Sequence, residues 1–238
     1  VTLTGCERSD VNNILYSQLG TYEDKDPTAI YYTVYNEWFW EFINSPDTYG
    51  GGIYDKWGIA NKSNKDAYAA RNAWSYFLIG WAADASGCKM TTLKTQKGFF
   101  IDSDIARTYN SNGAPGWFLV NDRAIKISSI SDLFKYAEKG DLIVFKSTDG
   151  NNSHHIAFVN QMKNGYITTV EGNLGTSHPK YVASRLIMKS AGKVWENLEV
   201  QYLLKPMYRS TATFHTNGGK LLSMPDDNEL WFDQGSKS

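Results

Sequence analysis

The stretch that most restricts how this chain can fold is 141–171, where three apolar, β-branched runs are separated by turns. "DLIVF" (141–145) follows Gly140, and the turn-rich "KSTDGNNS" leads into "HHIAFVNQM" (154–162). Asn164-Gly165 then supplies a two-residue hairpin turn, because both of its positions tolerate positive φ, and "YITTVE" (166–171) returns. Connections this short join antiparallel strands. Pairing about that turn matches residues whose numbers sum to about 329, so Glu171 returns to the end of the sheet where His154 and His155 begin. Alternation places His155, Ala157 and Val159 on one face and His154, Ile156 and Phe158 on the other.

Helical patterns flank this meander. Residues 10–20, "DVNNILYSQLG", read as an amphipathic helix with Asp10 as N-cap and Gly20 as stop. "NAWSYFLIGWAADASG" (72–87) puts Trp74, Phe77, Leu78 and Trp81 at i, i+3, i+4 and i+7, which predicts a helix over about 73–86 ending at Gly87. A short helix is expected over 131–139, with Ser131 as N-cap and Gly140 as stop. Residues 30–42 are aromatic and fit strand or helix, and the Gly-, Asn- and Asp-rich stretch from 44 to 68 reads as a surface excursion. A last strand lies within "WENLEVQYLLKP", ending near 206. An antiparallel sheet packed against N-terminal helices makes an α+β domain over 1–207. Residues 208–238 change character, with few large apolar side chains and an Asn-Gly-Gly turn, and are too few to bury a core of their own.

A net charge of −1 gives no global field toward nucleic acid or an anionic membrane, and no eighteen-residue apolar run predicts a membrane span. A monomer is expected. The 8 Trp, 15 Tyr and 11 Phe exceed what a minimal core needs, and such rings stack on sugars or line peptide grooves as readily as they fill a core. Cys6 and Cys88 are too few for a disulfide framework or a zinc site, so neither a metal nor a cofactor is expected; whether the two pair is left open. "VTLTGCERSD" carries no basic-then-apolar leader, which fits a cytosolic chain or one whose signal has been removed.

Chemistry concentrates at the sheet end. An imidazole beside a carboxylate or amide, here His155 with Glu171 and Asn173, is the base-and-orienter half of a nucleophilic site. A nucleophile gains most at a helix N-terminus, where the macrodipole favours negative charge, and Ser75 occupies such a place. The hydroxyl reads equally as an ordinary first-turn residue. Cys88 lies thirteen residues beyond it, roughly 20 Å along a helix, and cannot substitute.

At these residues the chain resembles the CHAP family, the cysteine- and histidine-dependent amidohydrolases and peptidases related to NlpC-type cell-wall enzymes. The family helix W-C-A-x-F-V-x-W with its A-G ending is matched by "WSYFLIGWAADASG" (74–87). G-D-L-I-x-F, H-V-G-I-V and I-E-G-N appear in order as "GDLIVF" (140–145), "HIAFV" (155–159) and "VEGN" (170–173). The N-terminal "TGCERSDVNNILYSQLGTYE" also looks like the helix that opens many members, so the resemblance spans about 4–205. It implies a papain-like fold, a nucleophile at position 75, His155 as general base, Glu171 as its orienter and Asn173 as an auxiliary. Trp74 and His154 would flank the substrate, an amide of peptidoglycan stem peptides or cross-bridges or the bond from muramic acid to L-alanine. "ATFHTNGGKLL" (212–222) resembles the first strand of the Listeria–Bacteroides-type wall repeat, which implies a truncated repeat over 208–238 and a secreted or wall-associated protein.

Three departures stand against the family pattern. The insertion at 43–69 and the divergent 91–128 leave groove specificity open, and the nucleophile column holds serine. A deliberate Cys→Ser replacement, a non-catalytic relative that binds wall peptides or a host ligand, and a working serine hydrolase each fit that serine.

Overall fold

The computed structural model describes residues 6–25, 31–44, 74–88, 122–149, 154–191, 194 and 197–208. The elements in chain order are α1 (Arg8–Ser17), β1 (Asp24–Lys25), β2 (Tyr31–Tyr32), α2 (Val34–Asn44), α3 (Ser75–Ala85), β3 (Ala124–Lys126), α4 (Ile130–Tyr136), β4 (Leu142–Ser147), β5 (His154–Lys163), β6 (Tyr166–Leu174), β7 (Tyr181–Met188) and β8 (Leu198–Leu204). Most of the 43–69 insertion, most of 91–128 and the tail beyond Tyr208 lie outside the described residues.

Strands β3 to β8 form one antiparallel sheet in the order β3-β8-β4-β5-β6-β7. The hairpin pairs Lys163 with Tyr166 and Gln161 with Thr168, the predicted register, until a bulge at Asn160 shifts it by one and sets Val159 opposite Thr169. The chain is thus an α+β domain built on an antiparallel sheet.

Strict alternation divides the apolar residues into two cores. Leu142, Val144, Ile156, Phe158 and Val170 face Val11, Leu15, Phe39, Phe77, Leu78 and Ala82 of α1, α2 and α3. Ile143, Phe145, Ala157, Val159 and Ile167 turn the other way, toward Leu133 of α4. Helices therefore cover both faces, not only the N-terminal side. Each large side chain so buried stabilises by roughly 1.5–3 kcal/mol, and the Phe39 and Phe77 rings, stacked at 4.1 Å, tie α2 to α3.

Helix ends differ from the sequence expectation where a neighbouring residue offers a better cap. Helix α1 begins after Glu7, not Asp10, and Asp10 falls in its first turn, where a negative charge suits the dipole. In α4 the N-cap is Ser129, whose hydroxyl accepts from Asp132 N at 3.0 Å, while Ser131 lies inside the helix. The 30–42 ambiguity resolves into a two-residue strand and then a helix, with Thr33 and Asn36 exchanging hydrogen bonds at its start. Tyr208, assigned from sequence to the tail, is buried, and its hydroxyl donates to Gly140 O at 2.6 Å, so the domain runs at least that far. Cys6 and Cys88 form a disulfide, joining the start of α1 to the end of α3.

Candidate active site

Strand register brings the first pair together. His155 stands opposite Phe145, a residue of the α4-side core, so its imidazole leaves β5 toward that face. Glu171 follows Thr169, which is opposite Val159 on the same face, and lies diagonally across the strand pair from His155. His155 Nε2 and Glu171 Oε2 are 2.7 Å apart, with Glu171 fully buried and the His155 side chain 14% exposed.

Glu171 has further partners. Arg185, opposite Thr169 on β7, donates from Nε at 3.0 Å and from Nη2, and the Thr169 hydroxyl donates to the second carboxylate oxygen. Burial alone would raise the Glu171 carboxyl, but hydrogen bonds and charge from His155 and then Arg185 outweigh it and hold it below the ordinary range. An ionised carboxylate accepts only, so Nε2 carries the proton that faces it. Nδ1 is then the nitrogen through which His155 can take a proton from a nucleophile.

Helix α3 starts over the same strand segment. A Cβ at Gly172, between Glu171 and Asn173, would lie 2.5 Å from the Trp74 ring and 2.9 Å from Leu78 Cδ2, so only glycine lets the first turn come this close. Ser75 opens the helix, 4% exposed, with Trp74 as its N-cap residue. The helix belongs to the opposite face of the sheet, and no hydrogen bond joins the Ser75 hydroxyl to His155. The structure thus brings His155 and Glu171 into contact and sets Ser75 beside the Glu171 segment without bonding it to the imidazole.

The remaining predicted positions separate. Asn173 adopts φ 61°, where asparagine is among the few non-glycine residues at ease, at a register shift between Glu171 and Leu174. Its amide makes no hydrogen bond to His155. His154 is half-buried opposite Lys146 and turned toward the α3 side. Trp74, expected against substrate, is instead a core residue: it is 2% exposed and its indole N–H donates to Glu23 Oε1 at 2.9 Å. A side chain enclosed on all sides cannot present a face to a ligand.

Arg185 escaped the sequence reading. It shares a face of β7 with Ala183 and the buried Ile187, and only the register reveals that a carboxylate lies diagonally across on β6. Among the described residues no helix is long and apolar enough to cross a membrane. The chain matches no family model, no curated protein and no solved structure. Motif residues and site geometry therefore carry the functional reading.

Proposed function

We propose that this chain is a CHAP-type, papain-like domain directed at peptidoglycan peptides, built round an amidase or peptidase site that the serine at position 75 leaves silent. The observation that carries this reading is the His155–Glu171 pair, with Nε2 held by a buried carboxylate and Nδ1 left for a nucleophile. The imidazole and the start of α3 lie on opposite faces of the sheet, so the reaction requires the His155 ring to turn round the strand end; there Nδ1 takes the proton of a thiol at position 75 and the thiolate attacks the amide carbonyl. Backbone N–H groups of the first turn of α3 hold the oxyanion, the imidazolium protonates the departing amine, and water releases the acyl group. A hydroxyl gives no standing ion pair with imidazole, so the serine form is slower by several powers of ten. The Cys6–Cys88 bond supports a secreted or wall-associated setting, because disulfides persist in oxidising compartments.

A second reading, a purely binding domain, draws support from Arg185, whose guanidinium offsets the charge that Glu171 would lend to an imidazolium. One experiment separates the two. Purified walls of several chemotypes are incubated with the chain and with Ser75→Cys, and new amino termini and co-sedimentation are measured. The chain should bind without release, Ser75→Cys should release amino termini, and His155→Ala in that background should abolish the release. Binding with no release by Ser75→Cys leaves the binding domain alone; neither binding nor release overturns both readings.

A further inference from the structure

Glu23 is a buried carboxylate that the His155 site does not use, and three separate segments meet at it. Residues 20–23 are laced along the start of β7. Gly20 N donates to Val182 O at 3.0 Å, Val182 N to Thr21 O at 2.9 Å and Glu23 N to Lys180 O at 2.8 Å. Alternation about the Tyr22–Tyr181 bridge sends Tyr22 to one side of this ladder and Glu23 to the other. There the carboxylate accepts Lys180 N at 2.8 Å and the Trp74 indole N–H at 2.9 Å, and its Oε2 meets His178 Nδ1. His178 is fixed in turn, stacked on Tyr31 of β2 with centroids 4.5 Å apart and planes 12° from parallel. Burial would raise the Glu23 carboxyl, but His178, Lys180 N–H and the indole N–H hold it below its usual value. It therefore stands as an ionised, acceptor-only group.

Trp74 is thereby held at two ends. A Cβ on Gly172 would lie 2.5 Å from one edge of its ring system, and the indole nitrogen is tied to Glu23. Trp74 is the N-cap residue of α3, its carbonyl accepts Leu78 N at 3.2 Å, and residue 75 follows it directly. Apolar contact alone would fix the depth of such a ring. A hydrogen bond to an anchored, charged acceptor fixes its direction as well.

We propose that Glu23 is a positioning residue for position 75: anchored by Lys180 and His178, its carboxylate grips the Trp74 indole and so sets the first turn of α3 over the Glu171 segment. It acts through Trp74 and not on reacting atoms. The inference rests on the wall-directed reading only for what position 75 does chemically.

Ser75→Cys supplies the reporter. Cys6 and Cys88 are bonded to each other, so the new thiol is the one thiol in the chain. Its ionisation is read from ultraviolet thiolate absorbance, with the unaltered chain as blank. A well-seated helix start favours the thiolate through the dipole. In the Ser75→Cys background, Glu23→Leu and Trp74→Phe should each raise the inflection by about 0.2–0.7 of a pH unit, the helix-end contribution. Loss of the Glu23 charge alone would lower it, so the sign separates seating from simple electrostatics. Glu23→Gln keeps a carbonyl for the indole and should show no rise, and Glu23→Leu should add nothing once Trp74→Phe is present. Tyr22→Ala, on the other side of the same segment, should leave the inflection unchanged. Thermal midpoints establish which variants are folded, and Trp74→Phe carries the test where Glu23→Leu does not fold. Unmoved or lowered inflections in folded variants, or shifts that add, overturn the positioning role. The same variants are then incubated with walls. Where Ser75→Cys releases amino termini, Glu23→Leu or Trp74→Phe should cut kcat about tenfold or more and leave KM within about twofold. Release with unmoved inflections removes the role of Glu23 and keeps the wall-directed reading, whereas raised inflections with no release do the reverse.

Discussion

Asp141 and Glu171 are both buried carboxyls, yet their neighbours drive them in opposite directions. Burial pushes Asp141 up to about 6 despite Lys205 Nζ at 2.6 Å, because the nearby Glu138 carboxylate adds to the penalty and one ammonium does not offset it. Glu171 is held low by His155 and Arg185. Glu23 behaves like Glu171: burial would raise it, but His178, Lys180 N–H and Trp74 N–H keep it below its usual value. A raised carboxyl contributes stability that is full below its unfolded value, 3.8 for Asp141, and is lost as pH rises through about 6. Lowered carboxyls contribute stability that is full above about 4.5 and is lost as pH falls through their depressed folded values. These groups together place maximum stability near pH 4.5–5. Urea midpoints measured from pH 3 to 7.5 should rise on acidification to that point and then fall. Asp141→Asn should flatten the limb between pH 4 and 6, worth on the order of 2–3 kcal/mol, and leave the acid limb in place. An unchanged limb in that variant would remove Asp141 as its source.

At the scale of elements, the junction of α3 with β6 decides how the site is assembled. The "VEGN" segment alternates a core valine, a buried carboxylate, a glycine under Trp74 and an asparagine in the left-handed region, so four consecutive residues serve four different requirements. Gly172 has no positive φ to protect, and its replacement by alanine would ordinarily stabilise by about 0.4–1 kcal/mol through the unfolded chain. Here the added methyl would meet an indole ring and Leu78 in a packed core, which costs about 1–3 kcal/mol, so the steric effect should win. Gly172→Ala should lower the thermal midpoint, whereas an unchanged or higher midpoint would mean that α3 is not seated on β6. The helices were legible in the sequence as apolar periodicity, and their ends were not. Ser129 and Ser131 are equivalent by residue type, and only the backbone geometry at 129 makes its hydroxyl the cap.

At the scale of the whole molecule, the hairpin of β5 and β6 was legible in its turn and in the register next to it, from Lys163–Tyr166 to Gln161–Thr168, because Asn164-Gly165 leaves little choice of turn. That β8 inserts between β3 and β4 was not, since a long connection precedes it and no local pattern names its partner. The hairpin brought Glu171 to the His155 end of the sheet, but the bulge at Asn160, which no sequence pattern announced, turns its carboxylate to the His155 face, and Arg185 and the His178–Glu23 pair depend on contacts between distant segments. The pairing of Cys6 with Cys88 is also non-local, and the size of the loop it closes makes it testable. The two residues are 82 apart in sequence, and closing a loop of that length removes unfolded-state entropy worth about 4–5 kcal/mol. Both cysteines are buried, so alanine replaces them without burying a hydroxyl. Cys6→Ala with Cys88→Ala should lose about 4 kcal/mol in urea unfolding, with a steeper denaturant dependence as the unfolded chain expands. Reductant should reproduce the loss in the unaltered chain and add nothing in the variant. The disulfide clamps the end of α3 remote from Ser75, so the proposed wall binding, where Ser75→Cys or the unaltered chain displays it, should be unchanged below the unfolding transition. A loss below about 1 kcal/mol would mean that packing of α1 against α3 already confines the unfolded ensemble and leaves the bond little entropy to remove.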